Sequence, residues 1–199
     1  MLLPARPTPS KISEFLSQQL NSSFSYQEVG ASDGTLPAGY NVDHNRVELG
    51  KGPEVFTAAI QAIKEWKMFN IGWCEVFPPR AAITRDTNVA ILAHHLGFYS
   101  LNASRIVYLI DEEQPIRRFG FAYGTLEDHS EQGEERFSVE MDPNTGHVIY
   151  DLLAFSRPRH PLARIGYPFS RMFQKRFARD SKLAMVTAVS VAMNAPYSK

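Results

Sequence analysis

The chain has 199 residues, 44% hydrophobic and 12% aromatic, enough for one packed core and against global disorder. Its formal net charge is zero, which argues against a dedicated nucleic-acid binder, because that function leaves a basic excess. The single cysteine, Cys74, excludes an intrachain disulfide and a cysteine-based zinc site.

The opening MLLPARPTPSK carries prolines where a signal peptide needs an uninterrupted apolar stretch. No window approaches the roughly 20 apolar residues of a spanning helix, and the expected location is cytoplasmic. Pro9 and Ser10 precede a helical spacing of Ile12, Phe15, Leu16 and Leu20 that ends near Asn21. Gly30 to Tyr40 is turn-rich and reads as a loop. Residues 1–39 are thus an N-terminal helix-and-loop extension, followed by a single domain over 40–193 and a tail at 194–199. A strand from Asn41 to Leu49 sets Val42, His44, Arg46 and Glu48 against Asp43, Asn45, Val47 and Leu49. GKGPEV ends it and opens a helix with Pro53 at the first position. The stripe Val55, Ala59, Ile63 and Trp66 carries that helix to about Phe69. A short apolar run, Gly72 to Phe77, stops at Pro78 and Pro79.

From Thr87 to Ser156 the period becomes two, predicting five antiparallel strands: Asn88–Leu96, Phe98–Ile110, Ile116–Thr125, Glu134–Asp142 and His147–Phe155. Short connectors, with a strong turn at Asp142 to Gly146, join them as a meander. In one strand Phe119, Phe121 and Tyr123 share a face; in the next, Phe137, Val139 and Met141 do so. That is the single apolar face of a half-covered sheet. A closing helix starts at Pro161, with Leu162, Ile165, Phe169, Phe173 and Phe177 in a stripe continued by Ala184, Ala188 and Val191. Its other face carries Arg164, Arg171, Lys175, Arg179 and Lys182. Asp111 to Asp142 holds ten acidic and three basic residues, and Arg157 to Lys182 eight basic and one acidic. Attraction between two elements of one fold is the favoured meaning, with an anionic membrane surface as the alternative partner of the basic face. The fold class expected is α+β, an antiparallel sheet wrapped on a long C-terminal helix in a helix-grip arrangement.

The stretches HNRVELGKG, EWKMFNIGWCEVFPP, RIVYLID, GFAYGTLEDHSEQGEERFSVE and AFSRPRHPLARIGYP occur in one order over about Tyr40 to Lys182. Together they resemble uncharacterised protein family 0548, the domain of unknown function 1990, with members in cyanobacteria, other bacteria and plants. The resemblance implies a START/Bet v 1-like fold and carries no reaction or catalytic residues.

Candidate chemistry centres on the acidic connector. Glu127, Asp128, Glu131, Glu134 and Glu135 surround a glycine and are expected as a solvated surface turn. Glu135 shares the alternation of Phe137 and Val139, so it is the acid expected to point inward. His129 is a candidate general base. Nothing shows metal-ligand spacing, and no metal or cofactor is expected. At most one of His94 and His95 faces the interior, Cys74 is expected as an inert core thiol, and Arg46 pairs an acid or holds an anionic ligand head. The expected ligand-binding set is Arg46, Tyr108, Phe121, Tyr123, Glu135, Phe137, Phe169 and Phe173, between sheet and last helix. The leading function is a noncatalytic binding module for an apolar or amphipathic, lipid-like small molecule. Alternatives are an enzyme using Glu135, His129 or Tyr123 in the same pocket, and a membrane-associated protein. A strand-built pore is disfavoured because both long helices need the apolar face.

Overall fold

Alternating strands form one twisted sheet with three helices packed on it in the computed structural model, which describes residues 1–159 and 167–195. The strands are β1 (Leu2–Leu3), β2 (Asn41–Lys51), β3 (Cys74–Phe77), β4 (Asn88–His95), β5 (Phe98–Glu112), β6 (Arg117–Thr125), β7 (Glu131–Met141) and β8 (His147–Pro158). Their order is β2-β8-β7-β6-β5-β4-β3, with β1 added to β5. Every pairing is antiparallel. The predicted meander is therefore the run β4 to β8, and β2 returns to pair with β8.

Three helices cover the sheet: α1 (Pro9–Gln18), α2 (Pro53–Lys64) and α3 (Tyr167–Asn194). Thr8 caps α1 by accepting from the Lys11 N–H, and Glu54 and Lys64 sit at the ends of α2 that favour their charges. α2 stops five residues before the expected Phe69. Trp66 turns into the left-handed region at φ 56° and starts a short 3-10 turn, Lys67–Phe69. The turn buries the indole, whose Nε1 donates to the Ala81 carbonyl at 2.8 Å and whose ring lies 4.8 Å from Phe121. Tertiary packing outweighs the local helical preference there.

The main core lies between the sheet's inner face and α2 and α3. Phe121 and Phe137 are fully buried there, stacked at 5.4 Å, with Phe69 5.6 Å from Phe137. A second core sits on the opposite face, where Ile12 and Phe15 of α1 meet Ala90, Leu92, Leu101, Ala103 and Leu126. The sheet thus has two apolar faces at its β4–β5 end, not one. α3 lies over α2, the Lys67–Phe69 turn and β2. Its buried stripe is Ala178, Ser181, Met185 and Val189, with Phe173 and Phe177 partly buried at its start. Phe169 (57% exposed) and Val191 (65%) fall outside it. Steps of four residues advance about 40° past a full turn, so a stripe read from Phe169 drifts off the seam. Pro161, Leu162, Arg164 and Ile165 lie outside the described residues.

Replacing Phe121 by alanine is expected to cost about 3–5 kcal/mol, since its neighbours Trp66 and Phe137 are held by the backbone on either side. Urea unfolding measures it; a loss under about 1 kcal/mol would contradict the solid packing at this end of the sheet.

Candidate functional site

β7 begins at Glu131, three residues earlier than the alternation alone predicts, and this draws most of the acidic connector into the sheet. Period-two geometry then sends Glu134 and Glu135 to opposite faces. Glu134 is 3% exposed on the outer face. Its carboxylate accepts from Tyr26 Oη and the Gly30 N–H, each at 2.7 Å, from the Ser32 N–H at 3.0 Å, and from Ser32 Oγ. Tyr26 reaches it because β6 has glycine at 124: a Cβ there would lie 2.1 Å from the Tyr26 hydroxyl.

Glu135 points inward, into a cavity of about 220 Å³ between β6, β7 and β8 and the first described turns of α3. Phe69, Trp73, Phe173 and Phe177 supply aromatic walls, and Tyr123 and Leu152 the floor. Tyr123 Oη donates to Glu135 Oε2 at 2.7 Å, and no other hydrogen bond to this carboxylate exists among the described residues. Burial pushes the Glu135 carboxyl up to about 7, opposed by the Tyr123 hydrogen bond and reinforced by Glu131 and Asp43. The group remains half-buried because one side faces the cavity. Burial also pushes the Tyr123 hydroxyl well up, next to the Glu135 charge.

Two further carboxylates reach the cavity from its rim. Glu131 accepts from Gln174 Nε2 at 2.6 Å, and its carboxyl is raised by burial. Asp43 is held by both Nη atoms of Arg171. Gln174 also donates to Ser156 Oγ at 3.0 Å, so α3 is tied to the sheet here by polar side-chain tips. His129 lines the same space; burial, and then the nearby Met1 ammonium, push its pKa down to about 4. Its Nδ1 accepts from the Glu131 N–H at 3.0 Å, which fixes a neutral ring with the proton on Nε2. Cys74, pushed up to about 12 by burial, is a protonated wall atom. Among the described residues no group of three His, Cys, Asp or Glu side chains could hold a metal ion.

Of the expected ligand-binding set, Tyr123, Glu135 and Phe173 line this cavity. Phe121 and Phe137 lie beside it in solid core, and Phe169 is exposed. Tyr108 is on the other face, bonded to Ser32 Oγ at 2.6 Å. A bulge between Ile106 and Tyr108 adds a residue and reverses the side on which Tyr108 emerges. Arg46 is also outside, 2.7 Å from Glu140 and 3.1 Å from buried Asp151. Of the adjacent histidines, His95 lies 4.6 Å from Phe173, and His94 stacks on Tyr99 outside. Only Glu127 and Asp128 of the acidic connector behave as the solvated turn expected. Asp43, Asn45, Phe69 and Trp73 were missed as lining residues. The signal for the first two was present: they are the polar members of the inward set on β2.

From α3, Arg171 turns to Asp43, and Lys182 Nζ donates to Asn45 Oδ1 at 3.3 Å. Arg176 and Arg179 pair with Asp180. Part of the basic face is thus spent within the fold, and Arg164 lies outside the described residues. No described helix is long and apolar enough to cross a membrane.

An antiparallel sheet gripped by a long C-terminal helix, with a cavity between them, defines an α+β helix-grip protein. Residues 25–184 match the family described as Domain of unknown function (DUF1990), and the chain belongs to that family. A UPF0548 protein of Dictyostelium discoideum is 35% identical, covering 95% of this chain and 96% of the relative. One from Deinococcus radiodurans is 34% identical, covering 94% and 98%. Among solved structures, human STARD10 matches at TM-score 0.48 with 12% identity, covering 94% of this chain and 81% of that one. A norcoclaurine synthase mutant of Thalictrum flavum matches at TM-score 0.49 with 11% identity, covering 80% and 100%.

The Glu135 carboxyl binds its proton more tightly in the folded chain, at about 7 against an ordinary 4.5. Its contribution to stability is therefore fully present below about 4.5 and is lost as pH rises through about 7. Glu135→Gln should gain stability relative to the parent chain between pH 5 and 8, by on the order of 2 kcal/mol. Paired denaturant titrations at the two pH values measure it. A difference independent of pH would place Glu135 in water.

Proposed function

We propose that the protein is a noncatalytic binding module that holds a small, largely apolar molecule between the sheet and α3. The observation that carries this reading is the cavity itself. Aromatic walls surround an inward carboxyl and a tyrosine hydroxyl, with further polar groups at the rim, the composition of a small-molecule site. Its size narrows the ligand. A dry cavity of roughly 150 Å³ takes a benzene, and this one, at about 220 Å³, suits a single ring with a short substituent. A two-chain lipid would have to extend beyond that volume.

Native mass spectrometry of protein purified from its own source is expected to show a retained small molecule. The cavity-lining substitution Ala154→Leu should abolish retention while shifting Tm by only a few degrees. An unliganded parent chain, together with no change in uptake of small aromatic probes on Ala154→Leu, would refute the reading.

One observation favours a second reading, acid–base catalysis in the same space. A carboxyl titrating at about 7 beside a tyrosine hydroxyl is suited to proton transfer at neutral pH. The two readings part on the fate of the retained molecule. A binding module returns it unchanged on incubation, whereas an enzyme converts it and loses that conversion in Glu135→Gln.

A further inference from the structure

The charge around the cavity selects among the molecules that would fit it, an argument that rests on the binding reading above. Among the described residues no lysine or arginine lines the space, while Asp43, Glu131 and Glu135 do. Asp43 has the Arg171 guanidinium. Glu131 accepts from the Gln174 amide and also feels the Arg171 charge, whereas Glu135 has the Tyr123 hydroxyl as its donor and no cation among the described residues. A buried carboxylate without a cation of its own has lost hydration that one neutral hydrogen bond does not restore. The neutral His129 ring supplies no positive charge. The aromatic walls favour the same kind of guest, since ring faces attract cations. Trp73 already does so on one side, with the Arg176 guanidinium 4.6 Å from its ring centroid.

We infer that the ligand is a small amine with an apolar body, its ammonium group set against Glu135 and Glu131 and its ring or hydrocarbon portion against Phe69, Trp73, Phe173 and Phe177. An ammonium donates to the cavity-facing side of the Glu135 carboxylate while Tyr123 keeps its own hydrogen bond to Oε2. An anionic head group would meet Glu131 and Glu135 and, among the described residues, no lining cation. The amine therefore stands apart from the anionic ligand head for which Arg46 was a candidate, and Arg46 lies on the other face of the sheet.

Binding should also depend on pH. Facing Glu135 are Tyr123 of β6, Glu131 of its own strand, Asp43 of β2, Cys74 of β3 and Tyr150 of β8. His129 stands at the rim, and α3 contributes Arg171 beside Asp43. Of these, Glu135 is the group whose pKa is placed near 7, so an amine, which requires its ionised form, gains affinity as pH rises from 6 to 8.

Calorimetry or ligand-observed NMR with benzylamine, benzyl alcohol and benzoate at low ionic strength tests the inference on the full chain. Benzylamine is expected to bind at least tenfold more tightly than either other compound, with affinity rising several-fold between pH 6 and pH 8. Glu135→Gln should remove most of that preference and keep benzyl alcohol binding, and Glu131→Gln should reduce it by a smaller factor. Retained benzyl alcohol binding also shows that each variant is folded. If benzyl alcohol or benzoate binds as well as the amine, the charge inference is overturned and the cavity reading stands. If none of the three binds, both fail.

Discussion

The buried carboxylate of Glu134 is the interaction on which the arrangement of this protein turns. Four donors from residues 26–32 converge on it, at a place where an unsatisfied carboxylate would be costly. Pinning Glu134 to the outer face fixes the side on which every other residue of β7 emerges. Glu135, Phe137 and Val139 must then face α2 and α3. The same contact ties the N-terminal segment to the back of the sheet, where Tyr26 and Tyr40 pack edge-on against Phe155. Arg136 extends the network by donating to the Ser32 carbonyl and to Asp151.

The inner layer is solid at one end and open at the other because different side chains set the spacing between helix and sheet. Toward the middle of α3 the contact is short: Ser181 Oγ meets Tyr150 Oη at 2.8 Å, and Met185 and Val189 are buried. Toward its start, Arg171 meets Asp43 and Gln174 meets Glu131 and Ser156, tip to tip. Pairs of long polar side chains hold the helix away from the strands more than apolar interdigitation does. The cavity occupies that wedge, and carboxylates reach it because the struts that open it include them.

This placement also accounts for the uneven charge along the chain. Asp43 of β2 pairs with Arg171 of α3 across the wedge, and Glu131 of β7 also feels that guanidinium, so part of the asymmetry is spent internally. What is left over inside is negative. The Glu135 carboxyl sits among aromatic walls with one neutral hydrogen-bond donor, and such groups are commonly functional because their desolvation is otherwise unrewarded.

Period-two alternation was enough to read the meander and the inward direction of Phe121, Tyr123, Glu135 and Phe137, and helical spacing was enough for the presence of a long closing helix. These follow from spacing along one element, so the sequence by itself determined them. Tyr108 and Arg46 were misplaced for a different reason. A bulge reverses the side on which Tyr108 emerges, and the acids that claim Arg46 come from β7 and β8, remote in sequence. Glu134 read as a solvated loop acid because nothing in its neighbourhood announces Tyr26, Gly30 and Ser32, more than a hundred residues earlier. Phe169 missed the stripe through helical drift. Whether the aromatic interior was core or cavity was decided only by the tertiary structure, because it depends on how far α3 stands from the sheet, and contacts between distant segments set that distance.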